Sequence, residues 1–217
     1  MAIQDGIQHV VCTPHANERY EYDRGAAQAK LNELQRRAGD SVRFSLGCDF
    51  HLSFENIQDA LAAPESFLIT GSDYLLVEFS DYAIPPALGE AIQRFAAMGI
   101  VPVITHPERN LMMLRKPEQV LRFIEIGCVV QVTANSVTGF WGEGPKRMVH
   151  WLMAHDAVHF VATDAHDTKH RPPLLSEARA TMAKDYGKEL ADILFHDNPM
   201  AVVTGIKLPY LPSSKPA

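Results

Sequence analysis

Six short apolar runs recur along this 217-residue chain, and their alternation with helix-like stretches is the strongest constraint on its fold. The runs are IQHVVCTPH (7–15), VRFSLGCDFH (42–51), YLLVEFSD (74–81), IVPVITHPER (100–109), CVVQVTANS (128–136) and HFVATDAHD (159–167). Apolar residues stand at successive positions in most of them, the pattern of strands covered on both faces. Helices are expected between them at 25–40, 85–99, 116–127 and 144–156, then at 174–186 and 188–196, before a short turn opened by Asn198-Pro199. In the first, Ala27, Leu31, Leu34 and Ala38 share a face. The second and third carry proline early and close on Gly99 and Gly127, start and stop signals in the usual places. Repeated strand–helix units of this kind imply an α/β fold, a parallel sheet with right-handed crossovers. The length suits one domain, 1–207, followed by a proline- and serine-rich tail, 208–217, expected to fray.

The strands share a second regularity. Nearly every one ends in a side chain that can bind a metal: His15, Asp49, Glu78, His106, and the pair Asp164 and His166. In a (β/α) barrel the C-terminal strand ends converge on one site, which an open doubly wound sheet does less readily. Imidazoles with carboxylates suit zinc, manganese or iron, and two or three such ions can clamp a phosphoryl group and generate a nucleophile. Each residue also has an ordinary reading. Asp164-Ala165-His166 is also the pattern of a turn with a capping aspartate. His15 and His106 can be hydrogen-bonded loop histidines. Glu78 is harder to dismiss, because it interrupts YLLVEFS, where an unpaired charge is costly to bury. Arg109 and Arg171 lie just beyond these strand ends and offer the forked donors that suit an oxyanion. The ordinary reading for each is a surface ion pair.

The other histidines read as structural: His9 and His159 near strand starts, His150, His155 and His196 on helices, His170 in solvent. His51 follows Asp49 by two and can share its direction. Composition removes several function classes. Net charge is 20 − 26 = −6, which disfavours a nucleic-acid partner. No apolar run approaches the roughly 20 residues of a membrane helix and no signal peptide is visible, so a cytoplasmic, non-membrane location is expected. Cys12, Cys48 and Cys128 are too few for a disulfide framework. They also lack the C-x5-R spacing of cysteine phosphatases, since Glu18, Phe54 and Ala134 occupy the arginine positions.

CTPHANERYEYD, LLVEFSD, PVITHPERN, VQVTANSVTGFWG and HFVATDAHD together resemble the PHP (polymerase and histidinol phosphatase) superfamily. Within it they are most similar to the bacterial protein-tyrosine phosphatases of the capsule- and exopolysaccharide-associated CpsB/YwqE type, over about residues 3–205. The resemblance implies a distorted (β/α)7 barrel holding up to three divalent ions, often manganese, with iron or zinc as alternatives. It implies hydrolysis of phosphotyrosine on proteins by a metal-bound hydroxide, with a bacterial tyrosine kinase of polysaccharide synthesis as a partner. His15, Glu78, His106, Asp164 and His166 match the family's ligands, and Arg109 and Arg171 match arginines that hold phosphate. Asp49 falls where the family has a glutamate, one methylene longer. Glu108 reads as a supporting or structural residue.

The family also opens with a D-x-H-x-H strand and a helix, and this chain starts at Met1 inside or just after that helix. The expected barrel therefore lacks its first strand and helix, which reads as a truncated reading frame. By analogy one ion would use Asp49, Glu78 and His106. A second would use His15 and His166, and a third Asp49 and Asp164, each with partners from the absent piece, so fewer ions are expected here. Alternatives are a PHP phosphatase of a small ester such as histidinol phosphate, and a metal-poor binding or scaffold protein. Amidohydrolase chemistry is weaker, because no strand end carries the lysine those enzymes use to bridge metals.

Overall fold

A computed structural model describes residues 1–212. All six apolar runs contain strands, and the first two are each split. The strands are β1 (His9–Cys12), β2 (His15–Ala16), β3 (Arg43–Leu46), β4 (Asp49–His51), β5 (Tyr74–Glu78), β6 (Val101–Thr105), β7 (Val129–Thr133) and β8 (Phe160–Ala162). All pair in parallel, β1 with β3 and the rest in the order β2-β4-β5-β6-β7-β8. The splits are local. The Gly47 and Asp49 amides donate to the Cys12 and Pro14 carbonyls at 2.9 and 3.0 Å, so one ladder runs through both pairs of short strands. Pro14 has no N–H to contribute, which is a reason for a break at that point.

The expected α/β architecture with a parallel sheet is present. A closed barrel is not: among the described residues no pairing joins β1 or β2 to β8, and the sheet is open between them. A cleft of about 900 Å³ lies along those two edges, and His15, Asp49, His106, Asp164 and His166 line one part of it.

The helices are α1 (Arg24–Ala38), α2 (Phe54–Ala62), α3 (Ala87–Ala97), α4 (Leu111–Arg115), α5 (Glu118–Glu125), α6 (Ala134–Thr138), α7 (Glu143–Ala154), α8 (Ser176–Tyr186), α9 (Lys188–Asp192) and α10 (Asn198–Thr204). α2, α4 and α6 were not among the expected helices. Their starts are nonetheless written locally in two cases: Ser53 accepts from the Asn56 amide, and Asn110 accepts from the Met112 and Met113 amides. The turn expected at Asn198-Pro199 is a seven-residue helix.

Adjacent residues of one strand enter different apolar layers. Ile104, Val130 and Val132 pack with Ile92, Phe95, Val120 and Leu152 from α3, α5 and α7. Their neighbours Val103 and Val129 pack instead with Tyr74, Phe160 and Val202 of α10. Both sheet faces are thus covered, as the unbroken apolar runs require. The tail expected from 208 is fastened at first, because buried Asn198 donates to the Tyr210 carbonyl at 2.8 Å and accepts from its amide at 3.2 Å. Residues 213–217 lie outside the described residues.

Candidate active site

Parallel pairing brings the strand ends together. His15 stands opposite Asp49 in the β2–β4 register, and Glu78 opposite His51 in the β4–β5 register. One ligand atom each from His15, Asp49 and Glu78 lie within 4.8 Å of one another. His15 Nδ1 is 3.1 Å from Asp49 Oδ2 and 3.8 Å from Glu78 Oε2. His106 Nε2 approaches the other Glu78 oxygen, Oε1, at 3.8 Å. The ring of His166 lies 5.8 Å from that of His15, centre to centre. His51 adds positive influence near Glu78 without joining the cluster.

Asp164 is engaged differently. Arg109 Nη1 and Arg171 Nη2 both donate to its Oδ2, while His166 Nδ1 stands 3.7 Å from Oδ1. The six expected ligands therefore form two neighbouring groups. His15, Asp49, Glu78 and His106 make one, and Asp164 with its two arginines and His166 makes the other. The tightest triad contains His15 rather than His106, the histidine that the family analogy pairs with Asp49 and Glu78.

The first group is short of positive charge. Asp49 is buried, and its Oδ1 has no hydrogen-bond donor; His15 Nδ1 likewise lacks a well-aligned partner. Burial, reinforced by the Asp49 charge, pushes the Glu78 carboxyl above its usual range, with His106, His15 and His51 pulling the other way. The Asp49 carboxylate beside it raises the His15 imidazole pKa against the opposing effect of burial, helped by Glu78 and Asp164. Two carboxylates facing two imidazoles with an orphaned buried oxygen is a donor set that fits divalent ions.

Backbone geometry marks the same place. His106 and Asp164 have φ of +36° and +51°, and with Asp156 they are the non-glycine residues in that region among those described. Such conformations cost energy and concentrate where a side chain must be aimed. The Glu108 side chain, two residues after His106, is fully buried, and its Oε1 accepts from the Thr133 amide and hydroxyl at 2.8 and 2.9 Å. It ties the turn after β6 to the end of β7, the structural part expected of it.

Sequence reasoning passed over Trp141. Its ring lies under Arg109, with Cζ 4.8 Å from the ring centre, and 5.9 Å from Arg171 Cζ. The available signal was the GFWG stretch, an exposed-looking aromatic pair between two glycines on a loop following a strand end.

The fold and site together define a parallel α/β protein with a candidate metal centre and an arginine pair at its strand ends. Residues 1–204 match the family model described as capsular polysaccharide synthesis, CpsB/CapC, and the chain belongs to that family. It is 29% identical over 197 residues to tyrosine-protein phosphatase YwqE of Bacillus subtilis, covering 89% of this chain and 77% of that protein. It is 27% identical over 209 residues to tyrosine-protein phosphatase CpsB of Streptococcus pneumoniae, covering 92% and 86%. Among solved structures it matches one from work on B. subtilis YwqE and S. pneumoniae CpsB, described as unique metal-dependent tyrosine phosphatases. That match has a TM-score of 0.91 at 26% identity, over 100% of this chain and 88% of the other.

Proposed function

We propose that this chain is a metal-dependent protein-tyrosine phosphatase. The observation that carries the reading is the placement of a metal-ligand triad, His15, Asp49 and Glu78, near two arginines that converge on Asp164. Both its relatives and its structural neighbour bear that activity in their names.

His15, Asp49, Glu78 and His106 would hold divalent ions, with Asp164 and His166 completing the ligand set; manganese suits the mixed donors, as do iron and zinc. When bound, such ions supply Lewis-acid polarisation of the phosphoryl group and a nucleophile at neutral pH. Arg109 and Arg171 would bind the phosphoryl oxygens. Their Nη atoms meet at Asp164 Oδ2, so the two guanidinium groups stand side by side, and their remaining N–H donors can grip a phosphate dianion next to that carboxylate. Asp164 keeps that pair ordered. Phenolate is a far weaker base than an alkoxide, with a conjugate acid near pKa 10, so a tyrosyl group leaves with little proton donation.

The sheet reads as an opened, distorted (β/α)7-type barrel, supported by its strand order and by the cleft between the β1 and β8 edges. Residues 1–207 act as one phosphatase unit. Its substrate is a phosphotyrosine protein, with a tyrosine kinase of capsule or exopolysaccharide synthesis as the natural partner in view of the family. No helix among the described residues is long and apolar enough to cross a membrane, which accords with action in the cytoplasm.

A panel of phosphomonoesters tests the reading: a phosphotyrosyl peptide, the same peptide with phosphoserine, histidinol phosphate and a nucleoside monophosphate, all with divalent metal present. Fastest turnover is expected on phosphotyrosine. Rapid turnover of another ester with none of phosphotyrosine would overturn it.

A further inference from the structure

Between α6 and α7 the chain makes a tight turn, Gly139-Phe140-Trp141-Gly142, closed by the Gly142 amide donating to the Gly139 carbonyl at 2.9 Å. Both glycines have strongly positive φ, +86° and +89°, a conformation that strains any other residue. At Gly139 an added Cβ would also meet Lys146 Cδ at 3.1 Å. Trp141 and Phe140 are therefore held at fixed positions on a short, constrained tip. Trp141 turns inward and lies against both guanidinium groups of the candidate phosphate site. Phe140 turns outward: it is 61% exposed, and its ring meets that of Trp141 edge-on, with centres 5.2 Å apart at 75°.

The Phe140 ring keeps most of its surface in solvent, and the ring it packs on is that of Trp141. Other exposed aromatics, Tyr20, Phe54 and Tyr82, also follow strands at this end of the sheet. Tyr20 is already stacked on His15, with ring centres 6.1 Å apart. Phe140 is the one joined through Trp141 to the arginines that would grip phosphate. In an aryl phosphate the ring hangs from phosphorus by a single oxygen. With the phosphoryl group between Arg109 and Arg171, that ring would lie beside the same arginines, next to Trp141 and the Phe140 ring that meets it.

The geometry points to Phe140 as a specificity-determining residue: its ring forms a wall on which the substrate's aromatic ring packs, so the site prefers aryl over alkyl phosphates. This rests on the phosphatase reading above and adds to it a residue and a selection rule. Aromatic pairs favour edge-to-face or offset contact, which an alkyl ester cannot make.

Binding of unreactive analogues separates this inference from turnover. The affinities of phenylphosphonate and methylphosphonate are measured by calorimetry on the full chain with divalent metal present, for the wild type and for Phe140→Ala and Phe140→Tyr. Phe140 is exposed, so neither change disturbs the core. The wild type is expected to prefer the phenyl compound, and Phe140→Ala to lower that preference by about 5- to 10-fold, the size of a lost aromatic pair. Phe140→Tyr, which keeps the ring, should restore most of it. A preference unchanged in Phe140→Ala, or lost equally in Phe140→Tyr, would overturn the inference while leaving the phosphate site intact. Failure of the wild type to bind either phosphonate would instead remove the phosphatase reading, and the inference with it.

Discussion

His15 and Asp49 are register partners on adjacent parallel strands, and their side chains meet with Nδ1 3.1 Å from Oδ2. The pairing fixes the contact through the backbone, so the centre of the candidate metal site is built by sheet register and not by a loop. Replacing Asp49 with asparagine keeps the shape and removes the charge that offsets a cation. Divalent-ion affinity, measured by calorimetry, should fall by at least about tenfold, since even residues that only support ligands cost that much. An affinity equal to that of the wild type would exclude Asp49 from the centre.

Arg109 and Arg171 act as a pair through Asp164. A lysine keeps the charge of either but loses the planar fork that lets two guanidinium groups address one oxyanion. Arg109→Lys should therefore lower kcat/KM for an aryl phosphate by about 100-fold, comparable with losing one oriented donor to a developing oxyanion. Steady-state kinetics on the two proteins decides this. A change of less than twofold would mean that Arg109 is only a salt-bridge partner of Asp164.

How far this site could be read from the chain depends on the residue. The strands were legible because covered parallel strands leave unbroken apolar runs, and Val103-Ile104 and Val129-Val130 do feed two different layers. All six expected metal-ligand residues, as well as Arg109 and Arg171, stand at one end of the sheet, because ligand-type residues closing such runs stand out against them. Other features were hidden by being non-local. Whether His15 or His106 completes the tightest group depends on side-chain direction, which spacing does not specify. The grip of Arg109 on Asp164 and its stacking on Trp141 join segments far apart in sequence. The positive φ at His106 and Asp164 carries no glycine to announce it. α2 was missed since it is short, with Ile57 and Ala60 as its buried residues.

His159 offers a test of the core away from the chemistry. It is fully buried at the start of β8, where Nδ1 accepts from the Val130 amide at 3.0 Å, and Nε2 has no partner. Burial lowers its pKa to about 3, so the fold keeps it neutral while the unfolded chain protonates it near the ordinary value of 6.5. The stability this provides is complete above about pH 6.5 and is lost as pH falls toward the folded-state value. Urea unfolding at about pH 7.5 and about pH 5 should show the wild type losing about 2 kcal/mol more than His159→Gln. Equal losses would show that His159 does not titrate on unfolding.

Clustered strand-end ligands make this chain a metal-dependent tyrosine phosphatase. The most direct measurement is phosphate release from a phosphotyrosyl peptide by protein stripped with chelator and then titrated with manganese. The predicted result is negligible release from the stripped protein and a saturable return of activity with metal, with Asp49→Asn needing far more metal to reach it. Equal release with and without metal would show that the clustered ligands do not act through a bound ion.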